Sequence, residues 1–243
     1  MNNTKSLSQL LGIKEGITAL VGGGGKTSTI YWLVRELTGQ GKKVLVTTTT
    51  KIFPPKLGQV DRLLINPKCE EVEKAFLEAD SLAIGSGIEK GKLQDLISDE
   101  LDRYRDLADY VLVEADGAKH LPIKVPAQHE PVLPNRAEQV LILVGLACLG
   151  RPIKDVCFRS GIASKLLGVD ENKMLGFKDI FRIIESPYGL SKGIEKGDRL
   201  VILNQSDLLS IEELDRLRNY VKDQVELTVI LASLNDKRFE KIC

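Results

Sequence analysis

Histidine is almost absent: His120 and His129 are the only two in 243 residues. The four cysteines, Cys69, Cys148, Cys157 and Cys243, form no C-x-x-C pair, so the ligand spacing of a zinc site is missing. Reduced, structural thiols are expected of them, as in a cytoplasmic protein. Aromatic residues make up 5%, too few for a base-stacking surface. Net charge is absent too, since 34 Lys and Arg balance 34 Asp and Glu. No overall field then draws in nucleic acid or an anionic membrane, and neither is expected as a partner. No apolar run approaches the length of a membrane span, and the first residues lack the basic and apolar regions of a signal peptide. Hydrophobic residues at 43% and charged residues at 28% leave an ordinary globular composition, with length for one large α/β domain.

Glycine, by contrast, is concentrated. Residues 17–21 are an apolar run that ends in Gly22, Gly23, Gly24 and Gly25, followed by Lys26, Thr27 and Ser28. Ile30, Leu33, Val34 and Leu37 then recur at helical spacing. Strand, glycine turn and helix in this order form a phosphate cradle. Glycines allow successive N–H groups to face one anion, and the helix N-terminus adds partial positive charge. The expectation is that the N–H groups at 22–25 hold phosphate, Lys26 reaches the β- and γ-phosphates, and Thr27 places its hydroxyl on Mg²⁺. The long G-x-x-x-x-G-K-[ST] pattern needs glycine at position 20, where Leu20 stands. The shorter G-x-x-G-K-T resembles the loops of the partitioning and maturation ATPases, of Mur-type ligases and of lipid A 4'-kinase. The ATPase version carries a signature lysine where this chain has Val21.

Elsewhere, short uncharged strands alternate with amphipathic helices. Strands are expected at 17–21, 44–46, 63–65, 82–84, 110–113, 140–144, 200–203 and, as the last, 229–231. Leu93, Leu96, Ile97, Leu101 and Tyr104 read as one helix, and Ser210 with Glu213 as a capping box. The pattern predicts a three-layer α/β fold like that of P-loop NTPases, with a mostly parallel sheet and helices on both faces. One domain spans the chain, with a possible helical insertion at about 151–198.

Three strand ends add candidates. Glu114 and Asp116 follow the strand at 110–113 and fit the second acid that a P-loop enzyme needs for its metal or nucleophile; which does which is open. The four threonines at 47–50 follow the second strand, and Thr48 and Thr49 are the first candidates for a phosphate or Mg²⁺ contact. Lys51 is a further cation there. Asn204-Gln205-Ser206-Asp207 resembles the N-K-x-D motif by which GTPases read guanine, with Gln205 in place of the lysine. Its aspartate offers acceptors to the guanine N1–H and N2–H₂. Ala232 and Ser233 fall where such proteins set a small loop against the base. Last, residues 118–134 form a long loop holding both histidines and four prolines. A loop that long is commonly functional, and Lys119, Lys124 and His129 are its candidates for an anionic substrate.

The stretch from Glu114-Ala-Asp-Gly through His129-Glu-Pro to Pro134 resembles the selenium-dependent molybdenum hydroxylase accessory proteins of the YqeC type. The short glycine loop, the threonine run, Asn204 with Asp207 and the chain length agree with it. The resemblance implies a cytoplasmic nucleotide-binding protein acting in the maturation of those hydroxylases, with a hydroxylase or its maturation proteins as partners. It supplies no catalytic residues and no role for 157–159. The expected activity is Mg²⁺-dependent binding and hydrolysis of ATP or GTP, with Lys26, Glu114, Asp116 and Lys124 as catalytic candidates. The alternatives are a small-molecule kinase using the 118–134 loop for its acceptor, and a nucleotide-gated binding module without turnover.

Overall fold

Uncharged, β-branched runs that can be buried on both sides become the middle of one sheet. A computed structural model describes residues 5–195 and 199–243. In chain order it contains α1 (Leu7–Leu11), β1 (Gly16–Gly22), α2 (Lys26–Thr38), β2 (Val44–Thr48), β3 (Arg62–Ile65), α3 (Cys69–Ala75), β4 (Ser81–Gly85), β5 (Ile88–Glu89), β6 (Lys92–Leu93), α4 (Ser98–Tyr104) and β7 (Tyr110–Glu114). It continues with β8 (Ile123–Lys124), β9 (Ala137–Gly145), α5 (Ile153–Val156), β10 (Cys157–Phe158), α6 (Ser160–Leu167), α7 (Phe177–Glu185), β11 (Arg199–Asn204), α8 (Ile211–Gln224), β12 (Val229–Ser233) and β13 (Arg238–Lys241).

Nine strands form the main sheet in the order β13-β12-β11-β9-β1-β7-β2-β4-β3. All neighbours are parallel except β12 and β13. Alternate residues serve opposite faces. Leu20, Val44, Val46, Leu112, Leu141 and Ile202 pack with α1 and α2 on one side. On the other side Ala19, Val21, Ile142 and Leu203 meet the apolar faces of α5 to α8, while Ile17, Leu45, Val111 and Val113 meet α3 and α4. The three-layer α/β architecture expected from the pattern is therefore present.

The connections locate a crevice. From β1 the chain crosses the α2 face toward β2, whereas from neighbouring β9 it crosses the opposite face toward β11. Right-handed crossovers in opposite directions require opposite faces. Adjacent strands whose connections diverge leave a cleft beyond their carboxyl ends, the usual ligand position in open α/β sheets. The glycine turn at 22–25 lies there.

Several local readings change. The run from Leu93 to Tyr104 is not one helix: Leu93 belongs to the β5–β6 hairpin and packs over Gly85, Ile97 is exposed, and the helix begins at Ser98. The strand at 62–65 is a partly exposed edge and not a buried strand, because nothing in the sheet lies beyond it. The last strand is β13, an antiparallel edge whose mostly charged sequence holds one apolar residue, Phe239, which packs on Trp32. The loop at 118–134 carries the short strand β8, paired with β10. The helical segment α5–α7 shares one core with β9 and β11; residues 196–198 of the stretch read as an insertion lie outside the described residues.

Candidate functional site

The four glycines make a turn that other backbone presses against. Gly22, at φ +96°, donates its N–H to both carboxylate oxygens of Asp116 at 3.1 Å each. Gly23 N–H goes to Leu143 O at 2.9 Å and Gly24 N–H to Leu121 O at 3.1 Å. A Cβ on Gly22 would overlap the Leu143 carbonyl, and one on Gly24 the Gly145 backbone. Three of the N–H groups expected to hold phosphate are thus engaged within the protein. The outward donors are those of the first turn of α2, Lys26, Thr27 and Ser28, which no preceding helical turn accepts. Gly25, at φ +125°, swings the chain into that helix.

Glu114 comes to this turn because β7 lies beside β1, with Glu114 opposite Leu20. Thr27 Oγ1 donates to Glu114 Oε2 at 2.9 Å. Lys26 Nζ donates to Gly22 O at 2.6 Å and lies 3.1 Å from Asp116 Oδ1 and 3.8 Å from Glu114 Oε1. Lys26, Glu114 and Asp116 are all buried. Burial raises the Glu114 carboxyl above its ordinary range, and the Lys26 charge and Thr27 hydroxyl offset this only in part. The oxygens of Asp116 take one N–H and two ammonium groups, those of Lys26 and Lys124. The two acids left open by the sequence therefore differ in geometry: Asp116 faces an N–H and two ammonium groups, and Glu114 takes the Thr27 hydroxyl with Lys26 farther off.

Lys124 has a different place from the substrate contact expected of it. Its side chain is fully buried, donating to Gly117 O at 2.8 Å and Glu130 Oε2 at 2.6 Å, with Asp116 Oδ2 at 3.1 Å. Two hydrogen bonds and an ion pair thus hold the ammonium inside the protein. Arg159 completes Glu130 with two hydrogen bonds, at 2.6 and 2.9 Å. A chain of alternating charge thus runs Glu114–Lys26–Asp116–Lys124–Glu130–Arg159. Lys192 donates to the carbonyls of Ala127, Gln128 and Glu130 and ties down the same loop. Sequence reasoning missed Arg159 and Lys192; nothing in their local pattern marks them, since their partners lie 29 and 62–65 residues away.

Burial works against ionisation of Glu130, but Arg159 and Lys124 outweigh it and draw the carboxyl from 4.5 down to about 2. A depressed folded-state value contributes stability that is present above the unfolded value and lost as pH falls through the folded one. The expected result is a gap in urea midpoint between wild type and Glu130→Gln that is widest above about pH 4.5 and narrows toward about pH 2. A gap independent of pH would show that the charge of Glu130 contributes nothing.

The threonines are engaged with backbone. Thr47 donates to Ile84 O, Thr48 lies within hydrogen-bonding distance of Glu114 O and Thr50 O, and Thr49 donates to Val132 O. Thr48 and Thr49, expected to face phosphate or metal, instead stitch the end of β2 to β7 and to the 118–134 loop. Lys51 is exposed and pairs with Glu89. Lys119 and His129 are exposed, His120 stacks on Phe53, and no group of three metal-ligating side chains occurs among the described residues. The four cysteines are free; burial pushes the thiols of Cys148 and Cys157 up to about 12, which makes them inert.

Asn204 reaches the glycine turn from β11, its Nδ2 donating to Gly24 O at 2.9 Å. With Gln205 and Asp207 it lines a half-open cavity of about 150 Å³ that Gly25, Ser28 and Asn235 also border. Asn204 Oδ1, Gln205 Oε1 and Asp207 Oδ1 are buried without a hydrogen-bond partner. Asn235, whose Nδ2 is 3.5 Å from Asp207 Oδ2, was not anticipated; Ala232 and Ser233, expected in a small loop, instead end β12 and pair with Phe239 and Arg238 of β13, so the turn that follows them carries Asn235.

Comparison with known proteins matches residues 18–161, more than half of the chain, to the family model described as "YqeC protein". A protein of Escherichia coli (strain K12), named "Uncharacterized protein YqeC", is 29% identical over 195 residues, covering 76% of this chain and 73% of the relative.

Proposed function

The chain belongs to the YqeC family, and we propose that it is a Mg²⁺-dependent nucleotide-binding protein that hydrolyses ATP or GTP in the maturation of selenium-dependent molybdenum hydroxylases. The observation that carries the biochemical part is the contact of Thr27 Oγ1 with Glu114 Oε2, 2.9 Å apart at the head of α2, with the Lys26 ammonium beside them. Hydroxyl and carboxylate oxygens at that separation are the hard donors that Mg²⁺ prefers. Thr27 and Glu114 would hold the ion, and Asp116 would position Lys26. Bound Mg²⁺ would supply charge neutralisation on the phosphates. The N–H groups of Lys26, Thr27 and Ser28 would take the phosphate oxygens, and the Lys26 ammonium would face the charge that grows on the β–γ bridge. Burial raises the Glu114 carboxyl, and a bound cation would favour its ionised form, which couples metal to site.

The cellular setting rests on the resemblance carried by residues 114–134. The chain of paired charges from Lys26 to Arg159 favours one second reading, a nucleotide-gated binding module, since displacing Lys26 toward phosphate would disturb Asp116 and through it the loop. Phosphate release from Mg·ATP and Mg·GTP tests both readings. The expected outcome is turnover abolished by chelation, with Glu114→Gln lowering it by at least about tenfold and raising the Mg²⁺ needed. A rise in turnover on adding immature hydroxylase would support the setting. Binding without turnover would leave the gated module, phosphate on an added acceptor would indicate a kinase, and absence of Mg²⁺-dependent binding would end the proposal.

A further inference from the structure

We infer that the cavity formed by Asn204, Gln205, Asp207 and Asn235 is a base pocket that selects guanine; this rests on the nucleotide-binding reading and names the nucleotide. Three facts point the same way. The cavity adjoins Gly25 and Ser28, so it opens onto the N-terminus of α2, where the phosphates are proposed to bind. Asn204 is 5% exposed, and because its Nδ2 is committed to Gly24 O, its Oδ1 is fixed in orientation and has no partner. Asp207 Oδ1 is also without a hydrogen-bond partner, although Ser233 and Asn235 stand beside the same carboxylate, so the pocket presents two fixed acceptors, Asn204 Oδ1 and the Asp207 carboxylate.

Buried acceptors without donors are costly, and they persist where a ligand completes them. The ligand must therefore bring N–H groups. Guanine presents N1–H and N2–H₂ side by side on one edge, and an ionised carboxylate accepts from both. Adenine presents N1 as an acceptor on that edge, so Asp207 would face it lone pair to lone pair. Leu234 offers an apolar wall for the ring face. Gln205, at φ +66°, is turned so that its amide lies against Gly145, where any side chain would collide with it. Asn204 thus joins the base pocket to the glycine turn, and a correctly read base would brace the turn that shapes the phosphate site.

The test is a binding titration with Mg²⁺ and, separately, GTP, ATP, ITP, XTP and inorganic tripolyphosphate on the wild type, Asp207→Ala and Asp207→Asn. A site built around donor–acceptor pairs rejects a ligand lacking them by two or more orders of magnitude, so a GTP preference over ATP of about 100-fold is expected. ITP, which lacks the N2 amine, should fall between. In Asp207→Ala the GTP-to-ATP ratio should collapse toward one. In Asp207→Asn the preference should move to XTP, because an amide N–H can donate to the carbonyl that xanthine carries at C2. A purely structural Asp207 would not exchange one base for another. Equal affinity for ATP and GTP, or an ATP preference indifferent to Asp207, overturns the inference while leaving the phosphate site standing. If neither nucleotides nor tripolyphosphate bind the wild type, the nucleotide-binding reading fails and the base pocket fails with it.

Discussion

Lys26→Ala should lower Mg·nucleotide affinity by about 100-fold or more and abolish turnover, because it removes an ammonium held at the glycine turn. The loss has two physical parts. The phosphate loses a positive charge in a site of low polarity, where each charge counts for more than in water. The anionic wall remains, since Glu114 and Asp116 are both buried beside the vacated position. Asp116 keeps Lys124 and the Gly22 N–H, so its charge stays matched. Glu114 loses its nearest cation, and its already raised carboxyl would titrate higher still. The fold should therefore survive in the variant, with its stability falling as pH rises through the Glu114 titration, because a raised folded value favours the protonated carboxyl. Titration calorimetry, with a urea midpoint taken at two pH values, separates binding from folding. A folded Lys26→Ala variant that binds nucleotide like the wild type would remove Lys26 from the site and the proposal with it.

Lys124→Ala should be the most destabilising single change in this region, by about 3 kcal/mol or more. Two carboxylates, Asp116 and Glu130, share this fully buried ammonium, which also donates to the Gly117 carbonyl. Breaking a buried pair on one side leaves desolvated charge with no water to compensate it. The methylene stem of Lys124 would also leave a void under Phe158, over whose ring the ammonium sits at 5.7 Å. Lys119, exposed on the same loop, provides the contrast: Lys119→Ala should stay within about 0.5 kcal/mol of wild type. Urea unfolding decides between a structural and a catalytic Lys124. A variant with the wild-type midpoint and lost turnover would return Lys124 to the chemistry.

Local patterns carried the parts of the fold that depend on neighbours in sequence. The alternation of uncharged strands with amphipathic helices was legible because burial on both faces demands continuous apolar runs, as at 140–144 in β9. The capping box at Ser210 and Glu213 was legible for the same reason: both partners lie within one turn. Edge elements were not. β13 and the β5–β6 hairpin bury little, so their sequences show no period that a helix or a loop could not share.

By itself, the sequence determined a glycine turn at 22–25 between a strand and a helix, two acids after the fifth core strand, and Asn204 with Asp207 after a later one, since each is a short motif bound to a strand end. The side chains' tasks were decided only in three dimensions. Thr48 and Thr49 were candidates on position alone, but the register of β2 beside β7 and the approach of Val132 turned their hydroxyls to backbone. Lys124 was a candidate on charge alone, but the placement of β8 beside β10 buried it between Asp116 and Glu130. Asp116 took a glycine N–H from 94 residues earlier in the chain and the Lys26 and Lys124 ammonium groups, whereas Glu114 took the Thr27 hydroxyl. A polar group's role depends on which donors and acceptors surround it, and these come from segments far apart in sequence, so strand order and register had to be known before the roles could be assigned.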